Sequence, residues 1–312
     1  MSSKVGIVDE LHKPARRNYP RRFVTIKGLN DLFQADLVEM IPYSEVNDGY
    51  KYLLTVINAF SKRAWAYPLK TKTGNEVASA LRKVFEELDV APKFLQADSG
   101  TEFFNSNVAR VLREFGIHLY SSFSTLKASI IERFNRTLKT WMWKRFSLRG
   151  SYKWVDILNS LITEYNNKVH RTIGVAPVNV NNKNEKKILA RLREAQKSNL
   201  PPRRKKKFKV GQPVRISKFK HIFEKGYTPN WTTEVFIVDE VKKTRPTTYM
   251  LRDLEGEVIR GGFYGEELLK TKYKDTYLVE KVLKKKGNQV YVKWLGFDNN
   301  HNQWINAEDV EQ

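Results

Sequence analysis

The sequence has no cysteine, which excludes disulfides and every thiolate metal site. Its five histidines, His12, His118, His170, His221 and His301, are too scattered along the chain to form a zinc cluster. Any resident metal is therefore held by oxygen. No apolar run approaches the roughly 20 residues that span a bilayer, and no charged, apolar, small-residue leader opens the chain. No membrane partner is expected, and the cytosol or nucleus remains. Acids are scarce beside bases, with 34 Asp and Glu against 56 Lys and Arg and a net charge of +22. Such a balance favours a polyanion such as nucleic acid over a neutral metabolite. The 312 residues leave room for two or three domains of ordinary size.

What is present begins with a basic, irregular opening, residues 1–27, that contains "KPARRNYPRR". It reads either as a solvated tail or as a DNA-contacting arm. From Leu32 onward the apolar runs "LFQADLVEMI", "KYLLTVINAF" and "RAWAYPL" are separated by "NDG" and "SK" turns. Their richness in β-formers predicts three strands of an antiparallel meander. Residues 75–88 carry Val77, Ala80, Leu81, Val84 and Phe85 at helical spacing. The strand within "FLQADSGTEFFNSN" stops at Asp98; a helix over 107–115, a short strand "HLYSS" and a long helix over 128–146 follow. Three strands succeeded by alternating helices and strands set helices against a mixed sheet.

The long helix supplies a partner for Asp98. In "KASIIERFNRTLKTWMWKRF" the residues Ile131, Phe134, Leu138 and Met142 form an apolar stripe, while Glu132, Asn135, Arg136, Lys139 and Trp143 occupy another face. Upstream, Asp36 sits inside an apolar strand, where a lone charge is costly to bury without a partner or an ion. Three carboxylates, Asp36, Asp98 and Glu132, could converge on two divalent ions about 3.5–4 Å apart, an arrangement that serves in-line displacement at phosphorus. Hard oxygen ligands suit Mg²⁺ or Mn²⁺. Taken singly, each acid also fits a strand end or a surface charge.

On these residues the chain from position 36 to 179 resembles the catalytic core of retroviral-type integrases. "ADLVEM", "ADSGTEF" and "ASIIERFNRTLK" stand where that family has its two Asp and one Glu. More narrowly, "HKPARRNYPRRFVTIKGLNDLFQADLVEM" and "KASIIERFNRTLK" are similar to integrases of Maverick or Polinton self-synthesising DNA transposons. The resemblance implies a ribonuclease H-like core over 28–180, two Mg²⁺ or Mn²⁺ ions in the active site, and a strand-transferase reaction. That reaction trims element 3′ ends and joins them to target DNA. It also implies double-stranded DNA as partner, a nuclear location, and a homo-oligomer, since two ends are joined together. By position, Asp36, Asp98 and Glu132 carry catalysis and metal ligation, and Asn135, Arg136 and Lys139 contact DNA ends. Two features depart from the family. Glu132 follows Asp98 by 34 positions, slightly less than the usual interval, and the shortening falls in the loop "SSFSTLKAS", where deletions are cheap. The family's amino-terminal zinc module, with two His and two Cys, cannot be assembled from this chain.

Beyond the core, "KWVDILNSLITEYNNKVHRTIGVAP" predicts an amphipathic helix that leaves on a turn, with His170 read as a turn residue before a catalytic base. Residues 181–207 form a helix and a basic linker that ends in "NLPPRRKKKFK". Arg203, Arg204, Lys205, Lys206 and Lys207 read as a solvated linker, as a DNA-backbone contact or as a nuclear-import segment. Short strands over 208–272 suggest a small five-stranded barrel, which resembles the Src-homology-three-like DNA-binding domain that follows integrase cores. Its Trp231, Tyr249 and Phe263 are expected in the core. The last segment, 275–312, resembles a chromodomain. That resemblance assigns Tyr277, Trp294 and Phe297 to an aromatic cage for a methylated histone tail, makes Trp304 a structural residue, and lets "AEDV" begin a closing helix. The whole reads as a multidomain integrase. Its rivals are a catalytically silent DNA and chromatin tether and the integrase of a chromodomain-bearing long-terminal-repeat retroelement.

Overall fold

The computed structural model describes residues 3–22, 24–121, 128–198, 207–220 and 227–310. The chain divides into two compact units, one formed by Phe23–Asn199 and the other by Met1–Arg22 together with Leu200–Gln312. The first element, helix α1 (Ser3–His12), belongs to the second of these.

Phe23–Asn199 is built on a mixed five-stranded sheet. Strands β1 (Leu32–Glu39), β2 (Tyr52–Asn58) and β3 (Ala64–Leu69) pair antiparallel, while β4 (Phe94–Gln96) and β5 (His118–Tyr120) add in parallel, giving the order β3-β2-β1-β4-β5. Alternation along the strands sorts the core into two layers. Phe33, Ala35, Leu54 and Val56 pack with α2 (Gly74–Glu86) and α3 (Ser106–Glu114). Val38, Leu53 and Ile57 pack with α4 (Ser129–Arg149) and α5 (Val155–Asn167). A mixed sheet covered by helices is the architecture of a ribonuclease H-like integrase core. Helix α6 (Asn182–Ser198) lays Ile188 and Leu192 against Phe60 and Ile173.

Local chemistry explains the element ends. Asn105 caps α3 by accepting from the backbone N–H groups of Asn107 and Val108, both at 3.0 Å. Helix α4 extends three residues past the expected Phe146 and ends where Gly150 turns left-handed, at φ 62°. Ile131, Phe134, Leu138, Met142 and Phe146 are its buried apolar stripe, each worth roughly 1.5–3 kcal/mol of burial. Strand β4 ends at Gln96 and not at Asp98. Only the Ala97 N–H continues the ladder, donating to Tyr120 at 3.2 Å, so Asp98 stands on the loop beyond the strand.

The other unit holds two sheets. Strands β6 (Pro213–Ile216), β7 (Phe236–Lys242), β8 (Thr248–Arg252), β9 (Val258–Tyr264) and β10 (Leu268–Lys270) form a five-stranded antiparallel sheet in the order β10-β6-β7-β8-β9. Tyr249 and Trp231 are buried, and Phe263 packs at the edge of the same core as Tyr249. Strands β11 (Val279–Lys286), β12 (Gln289–Trp294) and β13 (Gln303–Asn306) form a second, three-stranded sheet. Two expectations fail there. "AEDV" makes a single 3-10 turn, Ala307–Asp309, before the described chain ends, and Trp304 is 42% exposed. The register explains Trp304: it pairs with Tyr291 and shares that outward face, whereas Val290 and Val292 are the buried, alternate positions.

The amino terminus is not irregular. Ile7 and Leu11, one helical turn apart, bury against Trp231, and Gly6 lies where a Cβ would collide with the Tyr273 phenol. Two apolar residues around a glycine are too short a pattern to announce a helix in the sequence. Glu10 and Arg215 form a buried ion pair at 3.5 Å, and Thr271 donates to the same Glu10 oxygen at 2.7 Å. The Leu11 carbonyl accepts from the N–H groups of Asn230 and Trp231, and the Trp231 indole donates to the Lys13 carbonyl at 2.8 Å. Farther on, the Tyr19 hydroxyl donates to Glu267 at 2.6 Å and leaves Arg16, Arg17 and Arg22 exposed. The basic stretch is thus an anchored strap whose cations face solvent.

Removing one member of a buried ion pair strands the other charge, at a cost of about 3–5 kcal/mol. Glu10→Ala should lower the stability of this unit by that amount in urea unfolding. A loss below about 1 kcal/mol, the worth of an exposed pair, would show that α1 is not docked.

Candidate active site

Strand β1 turns Phe33 and Ala35 toward α2 and α3, so Gln34 and Asp36 face α4. Strand β4 runs beside β1 with Gln96 opposite Gln34. The Gln34 amide donates to the Gln96 carbonyl at 2.9 Å, and its own carbonyl accepts from the Ile131 backbone N–H at 2.9 Å. That N–H lies in the first turn of α4, where helices have no internal acceptor. Two residues beyond each glutamine stands an acid, Asp36 after Gln34 and Asp98 after Gln96. Both stretches read Gln-Ala-Asp, and Ala35 and Ala97 are each 1% exposed. Reading the acids singly missed the two glutamines; the repeated tripeptide is the signal that would have found them.

Both oxygens of Asp36 are engaged. Its Oδ1 accepts from the Leu37 N–H at 2.8 Å, and its Oδ2 accepts from the Asn135 amide at 2.8 Å. Burial pushes the Asp36 carboxyl above the usual carboxylate range; the negative charge of Asp98 adds to the rise, while the two hydrogen bonds and the Lys139 ammonium oppose it. Asp98 itself is exposed, as is Glu132, which leaves α4 three residues before Asn135. The structure therefore brings Asp36 and Asp98 together and leaves Glu132 outside that pair. Among the described residues, no three His, Asp or Glu side chains are gathered closely enough to hold an ion. The donor chemistry nevertheless fits a divalent cation. Carboxylates are hard oxygen ligands, and Asp36, forced up by burial and by a second acid, is short of positive charge.

The other expected site residues are placed as follows. Asn135, expected to touch DNA, is 7% exposed, and its amide is committed to Asp36; it is a positioning residue for that carboxylate. The apolar stripe of α4 is wide enough to include it. Arg136 and Lys139 are exposed on the same helix. Arg203, Arg204, Lys205 and Lys206 lie outside the described residues, as do most of the shortened loop, residues 122–127, and His221. Lys207 is bound to its own unit: its N–H donates to the Tyr249 hydroxyl and its ammonium to the Gly265 carbonyl, both at 2.9 Å. His170 sits in a turn with Nδ1 accepting from the Thr172 N–H at 3.2 Å. Burial, then Lys62, Arg133 and Arg171, push its pKa down to about 4, so it is neutral at physiological pH. In the other unit, the Tyr277 ring lies 5.8 Å from that of Trp294 and 5.6 Å from that of Phe297.

Residues 28–122 match the integrase core domain family. A putative transposon-derived protein of Caenorhabditis elegans is 38% identical over 211 residues, which cover 67% of this chain and 69% of that protein. The Pol polyprotein of the feline endogenous virus ECE1 is 28% identical over 151 residues, 47% of this chain but only 14% of the polyprotein. Among solved structures, the intasome of simian T-cell lymphotropic virus, in complex with the PP2A regulatory subunit B56 gamma, contains a similar chain. It aligns with a TM-score of 0.54 and 15% identity, over 86% of this chain and 91% of that one.

A carboxyl whose folded pKa lies above its unfolded value lends stability that is fully present below the unfolded pKa and is lost as pH rises through the folded one. Asp36 is such a group. Asp36→Asn should therefore raise the melting temperature of Phe23–Asn199 at neutral pH, and the gain should vanish on acidification. A gain that is independent of pH would mean that the charge on Asp36 carries no penalty.

Proposed function

Because the chain belongs to the retroviral-type integrase core family, with transposon-derived and retroviral relatives, we propose that it is a metal-dependent polynucleotidyl transferase that trims the 3′ ends of an element's DNA and joins them to target DNA. The observation that carries this reading is the Asp36–Asp98 pair on adjacent strands beneath the start of α4.

In the first step a water oxygen attacks the phosphodiester and the element's 3′-oxygen leaves with a proton. In the second, that 3′-hydroxyl attacks a target phosphodiester and displaces a target 3′-oxygen. No covalent enzyme intermediate is required. Asp36, Asp98 and Glu132 would hold Mg²⁺ or Mn²⁺. A divalent ion bound there supplies Lewis acidity toward the phosphoryl oxygens. Asn135 and the Leu37 N–H fix the orientation of the Asp36 carboxylate, while exposed Arg136 and Lys139 extend cationic side chains from the same helix toward phosphates.

The five-stranded sheet of 208–272 is read as a Src-homology-three-like DNA-binding barrel and 275–312 as a chromodomain. The three rings of Tyr277, Trp294 and Phe297 support a cage for a methylated lysine of a histone tail. Resemblance in "HKPARRNYPRRF" and "KASIIERFNRTLK" favours a Maverick or Polinton element. Action in the nucleus and as an oligomer follows from joining two DNA ends to chromosomal DNA. The open position of Glu132 favours one rival, a silent tether that binds DNA without cutting it.

Glu132→Gln decides between them. If Glu132 completes the metal site, the variant should keep its fold and DNA affinity but lose end joining by about a hundredfold or more, since a Lewis acid is worth several kcal/mol. Joining at the wild-type rate would remove Glu132 from the site, and a wild-type chain without joining activity in Mg²⁺ or Mn²⁺ would leave the tether. Separately, changing Arg203, Arg204, Lys205 and Lys206 to Gln should flatten the fall of log affinity with log salt by up to several units and weaken different DNA sequences equally. An unchanged slope would exclude a phosphate contact by that run.

A further inference from the structure

On a chain of net charge +22, one cavity is lined by charge of the other sign. It has a volume of about 510 Å³, and it lies between the five-stranded and the three-stranded sheets of the second unit. Glu234, Asp253 and Glu255 of the five-stranded sheet line one side, and Tyr277, Trp294 and Phe297 line the other; no Lys or Arg is among the lining residues. Asp253 is occupied in its own turn, accepting from the N–H groups of Glu255 and Glu257. The Glu234 and Glu255 carboxylates have no hydrogen-bond or ion-pair partner among the described residues, and both residues are exposed. The Asn302 amide oxygen, also in the lining, is buried and accepts no hydrogen bond. The free polar groups of this cavity are thus acceptors.

The two walls are held together by a close backbone approach. Gly296, at φ 85°, lies where any Cβ would collide with the Thr233 hydroxyl, and the Thr233 carbonyl in turn accepts from buried Arg215 at 2.5 Å. The acidic wall therefore belongs to the same binding site as the aromatic one. Aromatic faces attract a cation without needing its N–H groups, whereas a carboxylate gains most from a charged N–H donor. A trimethylated ammonium has no such donor; mono- and dimethylated ones keep two and one. The volume is in the range of ligand-holding pockets, roughly 300–1,000 Å³, and exceeds what a single ammonium fills.

We infer that this cavity is a composite site for a mono- or dimethylated lysine on a basic peptide, with Tyr277, Trp294 and Phe297 receiving the methyl groups and Glu234 and Glu255 receiving the N–H and the peptide's neighbouring cations. The inference rests on the methyl-lysine reading of the three aromatics and goes beyond it, because it draws half of the site from the sheet of 208–272 and assigns a methylation state. It also gives the acids a second effect, since they repel the phosphates that the rest of the chain attracts.

The test uses the full chain and a short basic peptide with one central lysine in its un-, mono-, di- and trimethylated forms, titrated at fixed salt. The dimethyl peptide should bind about fivefold or more tightly than the trimethyl one. Glu234→Gln with Glu255→Gln should erase that preference while changing trimethyl affinity less than twofold; both residues are exposed, and unchanged DNA affinity would verify folding. Tyr277→Ala should weaken all methylated forms. Trimethyl binding equal to or tighter than dimethyl in the wild type, or a preference that survives the double Gln variant, overturns the acidic wall while the cage stands. Equal affinity for all four peptides overturns the cage and this inference with it.

Discussion

The catalytic unit turns on one buried amide bridge. Gln34 donates to Gln96 and accepts from the Ile131 N–H, so a single side chain joins two parallel strands and the first turn of the helix that crosses them. Without it, two buried glutamines and a helix-end N–H would each lack a partner, at about 1–3 kcal/mol apiece. With it, β1 and β4 are locked in the register that puts Asp36 beside Asp98, and α4 begins where Asn135 can reach Asp36. The acids are arranged by the glutamines two residues before them.

That arrangement has an electrostatic cost, visible in the raised pKa of Asp36. A stable core has little reason to put a half-buried carboxylate next to another acid. Such perturbed groups concentrate at functional sites, and here the sheet, the helix and a buried asparagine all hold the perturbed group in place. Asn135 also shows why helix-face arguments need a structure. Its position follows the polar column of Glu132, Arg136 and Lys139, yet its side chain points into the core to serve Asp36, so binding DNA is left to its neighbours.

The second unit distributes charge differently. Its amino-terminal helix is tied by Glu10 to Arg215, an interaction between residues about two hundred positions apart, and the following basic strap is pinned through Tyr19 while its arginines remain at the surface. Against this cationic background, the acids facing Tyr277 form a local exception. Like-signed surfaces hold nucleic acid, and the exception marks where a positively charged partner is admitted.

Much of this was legible in the sequence. Period-2 alternation fixed the three antiparallel strands, period-3.6 spacing fixed α2 and α4, and Asp36 drew attention because an acid inside an apolar strand breaks its own pattern. Those signals are local, and local spacing suffices to read them. Tertiary structure alone decided the rest. The docking of α1 depends on Trp231 and Arg215, far along the chain, and two apolar residues around Gly6 could not announce it. Trp304 faces outward because β13 pairs with β12 in a register that places it opposite Tyr291, and the acidic wall meets the aromatic one because Gly296 permits a contact that no side chain would allow. Partners distant in sequence are chosen by packing and register, and neither is written in the periodicity of the segments they join.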